Sequence, residues 1–396
     1  MPAGVGKQMP TYSVDLFSKN VISDPYPHYQ AIRNLGSAVW LPKNNIWAIG
    51  RHSDVRDALL AHKTLISGKG VAANELANNI TPGNLLASDP PLHTNLRKVI
   101  STPLHPKSLS LLKDRIDVTA DNLVDKLIEL EKFDGISDLA QIIPVSIISK
   151  VVGLPDAGRK SMLNYASAVF DLFGGENERT EAALPVVLKM REYLDAHAAQ
   201  GKVRSDGWIA LLYDAANNGV IEKNQVQTLM RDFIGPSLDT TIFAIGHLLH
   251  LFGKNPDQWR LLCQEPNRVG NAINEAIRLE SPIRGFTRFV KNDYQTNNII
   301  LPAGDRVIIL YASANRDERR WENPEQFDIR RVVTDQVAFG FGIHQCVGMQ
   351  LARLEMKAIL MAMIRKVSKI EIVGSPVFEI NNVLRGLKTL PIKFSA

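Results

Sequence analysis

The stretch Ala338-Phe339-Gly340-Phe341-Gly342-Ile343-His344-Gln345-Cys346-Val347-Gly348-Met349 constrains this chain more than any other. It carries one of only two cysteines, with three glycines within six residues of the sulfur, and a helix-like run, 350–366, follows at once. A thiolate must have its negative charge neutralised or shared. A tight glycine turn bares backbone N–H groups around the sulfur, and a helix N-terminus beyond it adds partial positive charge; both lower a cysteine pKa. Glycine also lets a flat cofactor approach the backbone closely. The physical reading is a thiolate presented from one side to one large partner, and an iron porphyrin fits that description. The plain alternative is a buried thiol in an ordinary loop.

The remaining totals narrow the class. A chain of 396 residues can bury a large core, and no linker divides it, so residues 1–396 read as one domain with 1–23 as an N-terminal extension. Hydrophobic content of 45% and charged content of 22% are those of a globular protein. Two cysteines far apart in sequence suggest no disulfide framework, which points to a reducing cytoplasm, and Cys263 reads as a small apolar residue of a helix. The first eighteen residues are polar and hold no apolar stretch for a signal peptide or membrane anchor. Net charge is +5 without a clustered Lys/Arg tract, which argues against a nucleic-acid binder. A diffuse positive face suits an acidic protein partner instead.

Along the chain, residues 38–49 read as a hairpin around Pro42 to Asn45, 54–60 as a helix, and 67–88 as a long loop of the kind that forms lids and binding sites. Asp89-Pro90-Pro91 opens a helix on which His93 and Arg97, four apart, share a face. Residues 109–216 are mostly helical, with breaks near Pro155 and Gly174-Gly175. The longest helical segment, 224–252, has Pro236, Ser237, Asp239, Thr240 and Thr241 at its centre. An acid and hydroxyls inside an apolar helix are costly unless they bind something. Pro236 removes the N–H that would pair with the Asp232 carbonyl, so a kink or widened groove is expected there. Glu275 and Arg278, three apart, can pair on one helix face. The C-terminal 380–394 reads as a hairpin around Leu384 to Leu387.

The run F-x-x-G-x-H-x-C-x-G, carried by Phe339, Gly342, His344, Cys346 and Gly348, resembles the haem-binding loop of the cytochromes P-450, and the resemblance covers nearly the whole chain from about Asp24. It implies a mainly α fold with small β-sheets, a triangular helical prism with haem b between the long central helix and the cysteine loop. Cys346 would be the axial, metal-holding ligand, with Phe339, Gly340, His344 and Gly348 around the cofactor. D-P-P-x-H-x-x-x-R resembles the segment whose His93 and Arg97 bind haem propionates, and Arg288 falls where a third propionate ligand is expected. Gln336 stands where many members have a propionate-binding histidine, so a weaker contact is expected there. Asp239 and Thr240 match the acid–alcohol pair that handles protons in oxygen activation; Pro236 and Ser237 depart from the small residue and glycine usual beside it. Glu275 and Arg278 resemble the structural E-x-x-R pair, with Arg331 as its third member.

The resemblance further implies a monomeric monooxygenase that takes O2 and two electrons from a ferredoxin and its reductase. Docking is expected on the Cys346 side, at Lys98, Arg353 and Lys357, then Lys107, Lys113 and Arg115. Pocket residues are expected at Phe170, Phe173, Asp232, Gly235, Pro236, Ile283, Phe286 and Leu384. The pattern is most like members that hydroxylate or O-demethylate small para-substituted aromatics. Because the 67–88 loop offers no arginine before Asp89 and Asp232 would repel a carboxylate, a neutral methoxyphenol or alkylphenol is expected ahead of a methoxybenzoate. The alternatives are a terpenoid or fatty-acid hydroxylase, a peroxide-driven peroxygenase, and a haem-based sensor without turnover.

Overall fold

The computed structural model describes residues 9–154, 162–199 and 202–396; the expected break at Pro155 lies outside them. Short, largely apolar runs build a five-stranded sheet: β1 (Val39–Leu41), β2 (Ile46–Ile49), β3 (Leu65–Ile66), β4 (Phe286–Val290) and β5 (Arg306–Ile309), in the order β1-β2-β5-β4-β3. The β1–β2 hairpin turns through Asn45 at positive φ, and β2 pairs parallel to β5 with Trp47 beside Val307. Strand β4 runs antiparallel to β5, pairing Phe286 with Ile309 and Arg288 with Val307. Successive side chains of a strand alternate faces, so Phe286 and Arg288 point the same way, and both line the central cavity.

Helices make up most of the chain. Those that position the site are α1 (Leu92–Ser101), α2 (Pro106–Ile128), α3 (Met162–Leu172), α4 (Glu178–His197), α5 (Lys223–Ile234), α6 (Asp239–Lys254), α7 (Val269–Leu279) and α8 (Met349–Lys366). Twelve of the sixteen residues of α6 are buried, which is why its sequence is apolar on every face. Helix α8 packs against α2 and α7, so the cysteine loop at its N-terminus is held by two long neighbours. The C-terminal strand Pro391–Ser395 pairs with Lys369–Ile372 and with Phe133–Asp134.

Two expectations change. The long loop holds a helix, Glu75–Ile80, whose N-cap Asn74 accepts from the Ala77 N–H; the Asn74 amide also donates to the Leu172 and Gly174 carbonyls, tying that helix to the end of α3. The segment set apart as an N-terminal extension packs on the sheet from Met9 onward: Thr11 bridges Trp40, and Leu16 and Phe17 are buried in a core with Tyr29 and Ile32. Among the described residues no helix is long and apolar enough to cross a membrane.

Candidate active site

The cysteine loop is shaped by its glycines. Gly340 and Gly342 have φ of +68° and +74°, a region that side-chain-bearing residues rarely adopt, and a Cβ on Gly342 would also meet the Leu59 carbonyl oxygen at 2.9 Å. The turn closes with Cys346 N–H donating to the Phe339 carbonyl at 2.8 Å. The thiol opens onto the central cavity, so its surface is accessible there while protein crowds it on the other sides. That burial pushes its pKa up. The backbone N–H groups of Gly348 and Met349 and the charges of Arg97 and Arg353 act in the opposite direction. The Arg353 guanidinium lies 5.3 Å from the Phe339 ring centroid and donates to Asn274 at 2.9 Å, which fixes the loop to α7.

Around the same cavity sits a group of basic side chains. Arg97, Arg288 and His344 line it, and His93 packs behind with its ring centroid 4.3 Å from that of His344. Arg288 is buried, and neither it nor Arg97 forms an ion pair among the described residues. The Nε2 atoms of both His93 and His344 are buried without a partner among the described residues. Burial, then Arg288, His93 and Arg97, hold the His344 pKa far below its ordinary value. Buried cations and orphaned ring nitrogens are expensive to leave unmatched. This set fits an anionic partner in the cavity beside the Cys346 thiol.

Across the cavity the central helix is interrupted. Helix α5 ends at Ile234, a single 3₁₀ turn spans Gly235–Ser237, and α6 begins at Asp239. The missing N–H of Pro236 breaks the ladder, Ser237 Oγ donates to the Phe233 carbonyl at 2.6 Å, and Thr240 Oγ1 donates to the Pro236 carbonyl at 2.9 Å. Thr240 lines the cavity; Asp239 is buried just behind it. Burial first, then the charges of Glu379 and Asp171, push Asp239 up to about 7.

The chain matches the family model "Cytochrome P450" over residues 175–376. It is 33% identical over 398 residues to cytochrome P450 CYP199A2 of Rhodopseudomonas palustris, covering 100% of this chain and 97% of that protein. The chain belongs to the cytochrome P450 family. It is also 30% identical to the beta-dihydromenaquinone-9 omega-hydroxylase of Mycobacterium tuberculosis, over 98% of this chain and 79% of that one. In fold it superimposes on the haem domain of Acinetobacter radioresistens CYP116B5 with a TM-score of 0.87 at 20% identity, over 97% of both chains. The epothilone D-bound P450epoK gives 0.85 at 23%, over 97% of this chain and 100% of that one.

P450 enzymes are haem b monooxygenases, and the residues present fit the cofactor. Cys346 would hold the iron, and Arg97, Arg288, His93 and His344 would face the propionates. Phe339, Gly340 and Gly348 also line the cavity wall at the thiol. Gln336 does not line the cavity; its side-chain oxygen accepts from the Ala338 N–H at 2.6 Å. Behind the loop, Glu275 and Arg278 are fully buried in a two-point pair at 2.7 and 2.9 Å, and Arg331 Nε donates to Glu275 at 3.1 Å. Arg278 also donates to the Asn315 and Pro324 carbonyls, which stitches α7 to the segment leading into the P450 loop.

Of the expected pocket residues, Phe170, Phe173, Asp232 and Gly235 line the cavity, as do Pro236, Ile283 and Phe286. Leu384 does not. It is 1% exposed and bridges Ile283 from behind, so the C-terminal turn supports the wall and leaves Ile283 to face the cavity. The Asp232 carboxylate accepts from the Leu85 N–H at 2.8 Å, and burial pushes it up to about 7. Sequence reading missed two arginines on the wall, Arg191 of α4 and Arg231 of α5. The absence of an arginine from the 67–88 loop therefore does not make the pocket free of them. On a regular helix nine residues turn Arg231 to the face opposite Thr240, so spacing gave no signal for it; Arg191 carried no local signal either.

Proposed function

We propose that this P450 hydroxylates or O-demethylates a small aromatic substrate, using O2 and two electrons delivered singly by a ferredoxin and its reductase, as a monomer of the cytoplasm. The observation that carries the reading is one continuous cavity with Cys346 and Thr240 on its wall and Phe170, Phe173, Phe286 and Trp208 around the remainder. Rings of this kind enclose a flat apolar molecule.

Bound haem supplies the activation of dioxygen. One oxygen atom enters the substrate and the other leaves as water, which consumes two protons. Thr240 presents its hydroxyl at the cavity wall for the last hydrogen bond of that delivery. Asp239, with a pKa near neutrality, both accepts and releases protons there. On the Cys346 side Lys98, Lys107 and Lys357 are exposed and suit an acidic electron donor. Arg353 is occupied by Asn274 and Phe339, and Lys113 pairs with Asp117 at 2.5 Å, so both are weaker candidates. Arg115 is half-buried.

The test is reconstitution with ferredoxin, its reductase and NADH, against para-methoxy and para-alkyl aromatics. Formaldehyde in one-to-one ratio with the demethylated product is expected. Turnover restricted to terpenoids or long alkanes, or supported by peroxide but not by ferredoxin, would overturn the reading.

A further inference from the structure

We propose that Asp171 at the end of α3 and Glu379 in the C-terminal hairpin are the entry by which protons from solvent reach Asp239. This deepens the monooxygenase reading and rests on it.

Asp239 is 7% exposed, and among the described residues its carboxyl has no hydrogen-bond or ion-pair partner. A buried acid that must be reloaded in every turnover needs a connection to water. The C-terminal hairpin supplies one. Its strands, Val377–Phe378 and Leu387–Thr389, pair antiparallel, and the Glu379 N–H donates to the Gly386 carbonyl at 2.9 Å. Gly386 lies against α6, where a Cβ would collide with the Phe243 ring. Phe243 is four residues after Asp239, on the same helix face. The adjoining asparagines tie the hairpin to α3. The Asn382 N–H donates to the Asp171 carboxylate at 2.8 Å and its amide to the Asp171 carbonyl at 2.7 Å, while the Asn381 amide donates to the Ser167 carbonyl at 3.1 Å. The hairpin therefore brings two acids from separate elements up to the start of α6, and the charges of both act on Asp239. Asp171 and Glu379 are only half-buried, so each has a side open to solvent.

The surrounding cations leave these acids free to exchange protons. Arg179 donates to the Asn382 side-chain oxygen at 3.0 Å and to the Phe17 carbonyl. Arg284 donates to the Leu16 carbonyl at 3.4 Å and to the Asn382 carbonyl. Both act on Asp171 only from a distance. Burial holds the Asp171 pKa up at about 6 against the Asn382 N–H and Arg179; Glu379 adds to the rise and Arg284 to the opposition. Asp239, at about 7, binds a proton more tightly than Asp171 does, so transfer runs inward. A proton leaves water, binds Asp171 or Glu379, passes to Asp239 and leaves on the Thr240 side. Each carboxyl ends in the state in which it began, and two such passages match the two protons that the reaction consumes.

The experiment uses the haem-loaded protein with ferredoxin, its reductase and NADH, and 4-methoxyphenol and 4-methoxybenzoate as substrates. Asp171→Asn and Glu379→Gln should each lower product formed per NADH by about threefold, because either acid alone still admits protons, and the double variant by about tenfold or more. The solvent deuterium isotope effect on product formation should rise in the same order. The loss should be far smaller with hydrogen peroxide as oxidant, since that reaction draws no protons from solvent. Asp171→Glu, which keeps the acid, should restore the yield; failure of this rescue overturns the proposal. A readout independent of turnover is the infrared carboxyl band, followed from pH 5 to 8. Asp171→Asn should remove a group that titrates near 6 and move the Asp239 midpoint below about 7, because one neighbouring negative charge is gone. Product yield, isotope effect and midpoint all equal to wild type in the double variant overturn the proposal and leave the monooxygenase reading standing. Absence of the thiolate-type band from the reduced carbonyl complex of the wild type would remove that reading itself.

Discussion

The Thr240 hydroxyl donates to the Pro236 carbonyl at 2.9 Å, across the turn at which α5 gives way to α6. A hydroxyl that bonds back four residues loosens a helix, and proline four residues earlier has already opened it. The same hydroxyl stands on the cavity wall. Thr240→Val removes it at constant shape. Product formed per electron pair is expected to fall about tenfold or more, within the range for loss of a proton-handling group, while haem content and ligand affinity stay the same. Thr240→Ser should retain most of the yield. Unchanged product yield in the valine variant would show that the hydroxyl serves only the helix.

Arg97 and Arg288 face the cavity, and among the described residues neither has an acidic partner. If the propionates of haem are that partner, Arg97→Ala and Arg288→Ala should speed haem loss to an excess of an apo-acceptor, and the double variant more than either alone. Each charge-assisted contact is worth about 1.5–3 kcal/mol, or roughly ten- to a hundredfold in retention. Haem-loss rates equal to wild type would place the propionates elsewhere.

What could be read from the sequence was local. The cysteine loop is dictated by glycines at positive φ, and Glu275 and Arg278 lie one turn apart on a single helix; both patterns state their geometry within a few residues. The central helix break was equally legible, because proline acts on the turn that contains it. Contacts made over a hundred residues or more were not. Arg191 reaches the pocket only because α4 packs over the Glu75–Ile80 segment, whose Ile80 carbonyl it binds. Leu384 is buried beside Ile283, to which it bridges, and it is Ile283 that lines the cavity. Gln336 illustrates the competing rule: a polar side chain near a turn bonds the backbone two residues on more readily than a ligand farther away.

Glu275 is fully buried and bonds Arg278, Arg331 and the Asp328 N–H. Removing one partner of a buried pair leaves an uncompensated charge, at a cost of about 3–5 kcal/mol. Glu275→Ala should therefore lower the folded, haem-containing yield sharply and shift the urea midpoint down. Arg278→Lys should not rescue the fold, because a single ammonium cannot bond both carboxylate oxygens and two carbonyls together. A normal midpoint for Glu275→Ala would mean that the network is dispensable.

Glu355 on α8 is 1% exposed, its Oε1 has no partner, and burial alone pushes its pKa from 4.5 up to about 8. The folded chain thus keeps a proton that the unfolded chain releases. Between pH 4.5 and about 8 the unfolded state binds fewer protons, so stability is full below the lower value and is lost as pH rises through the upper one. The slope is at most about 1.4 kcal/mol per pH unit. Glu355→Gln removes the titration. Its stability relative to wild type, measured by urea unfolding of the haem-loaded proteins from pH 5 to 8, should rise steadily with pH. A flat difference would mean that Glu355 is ionised in the folded enzyme and is held by a polar partner.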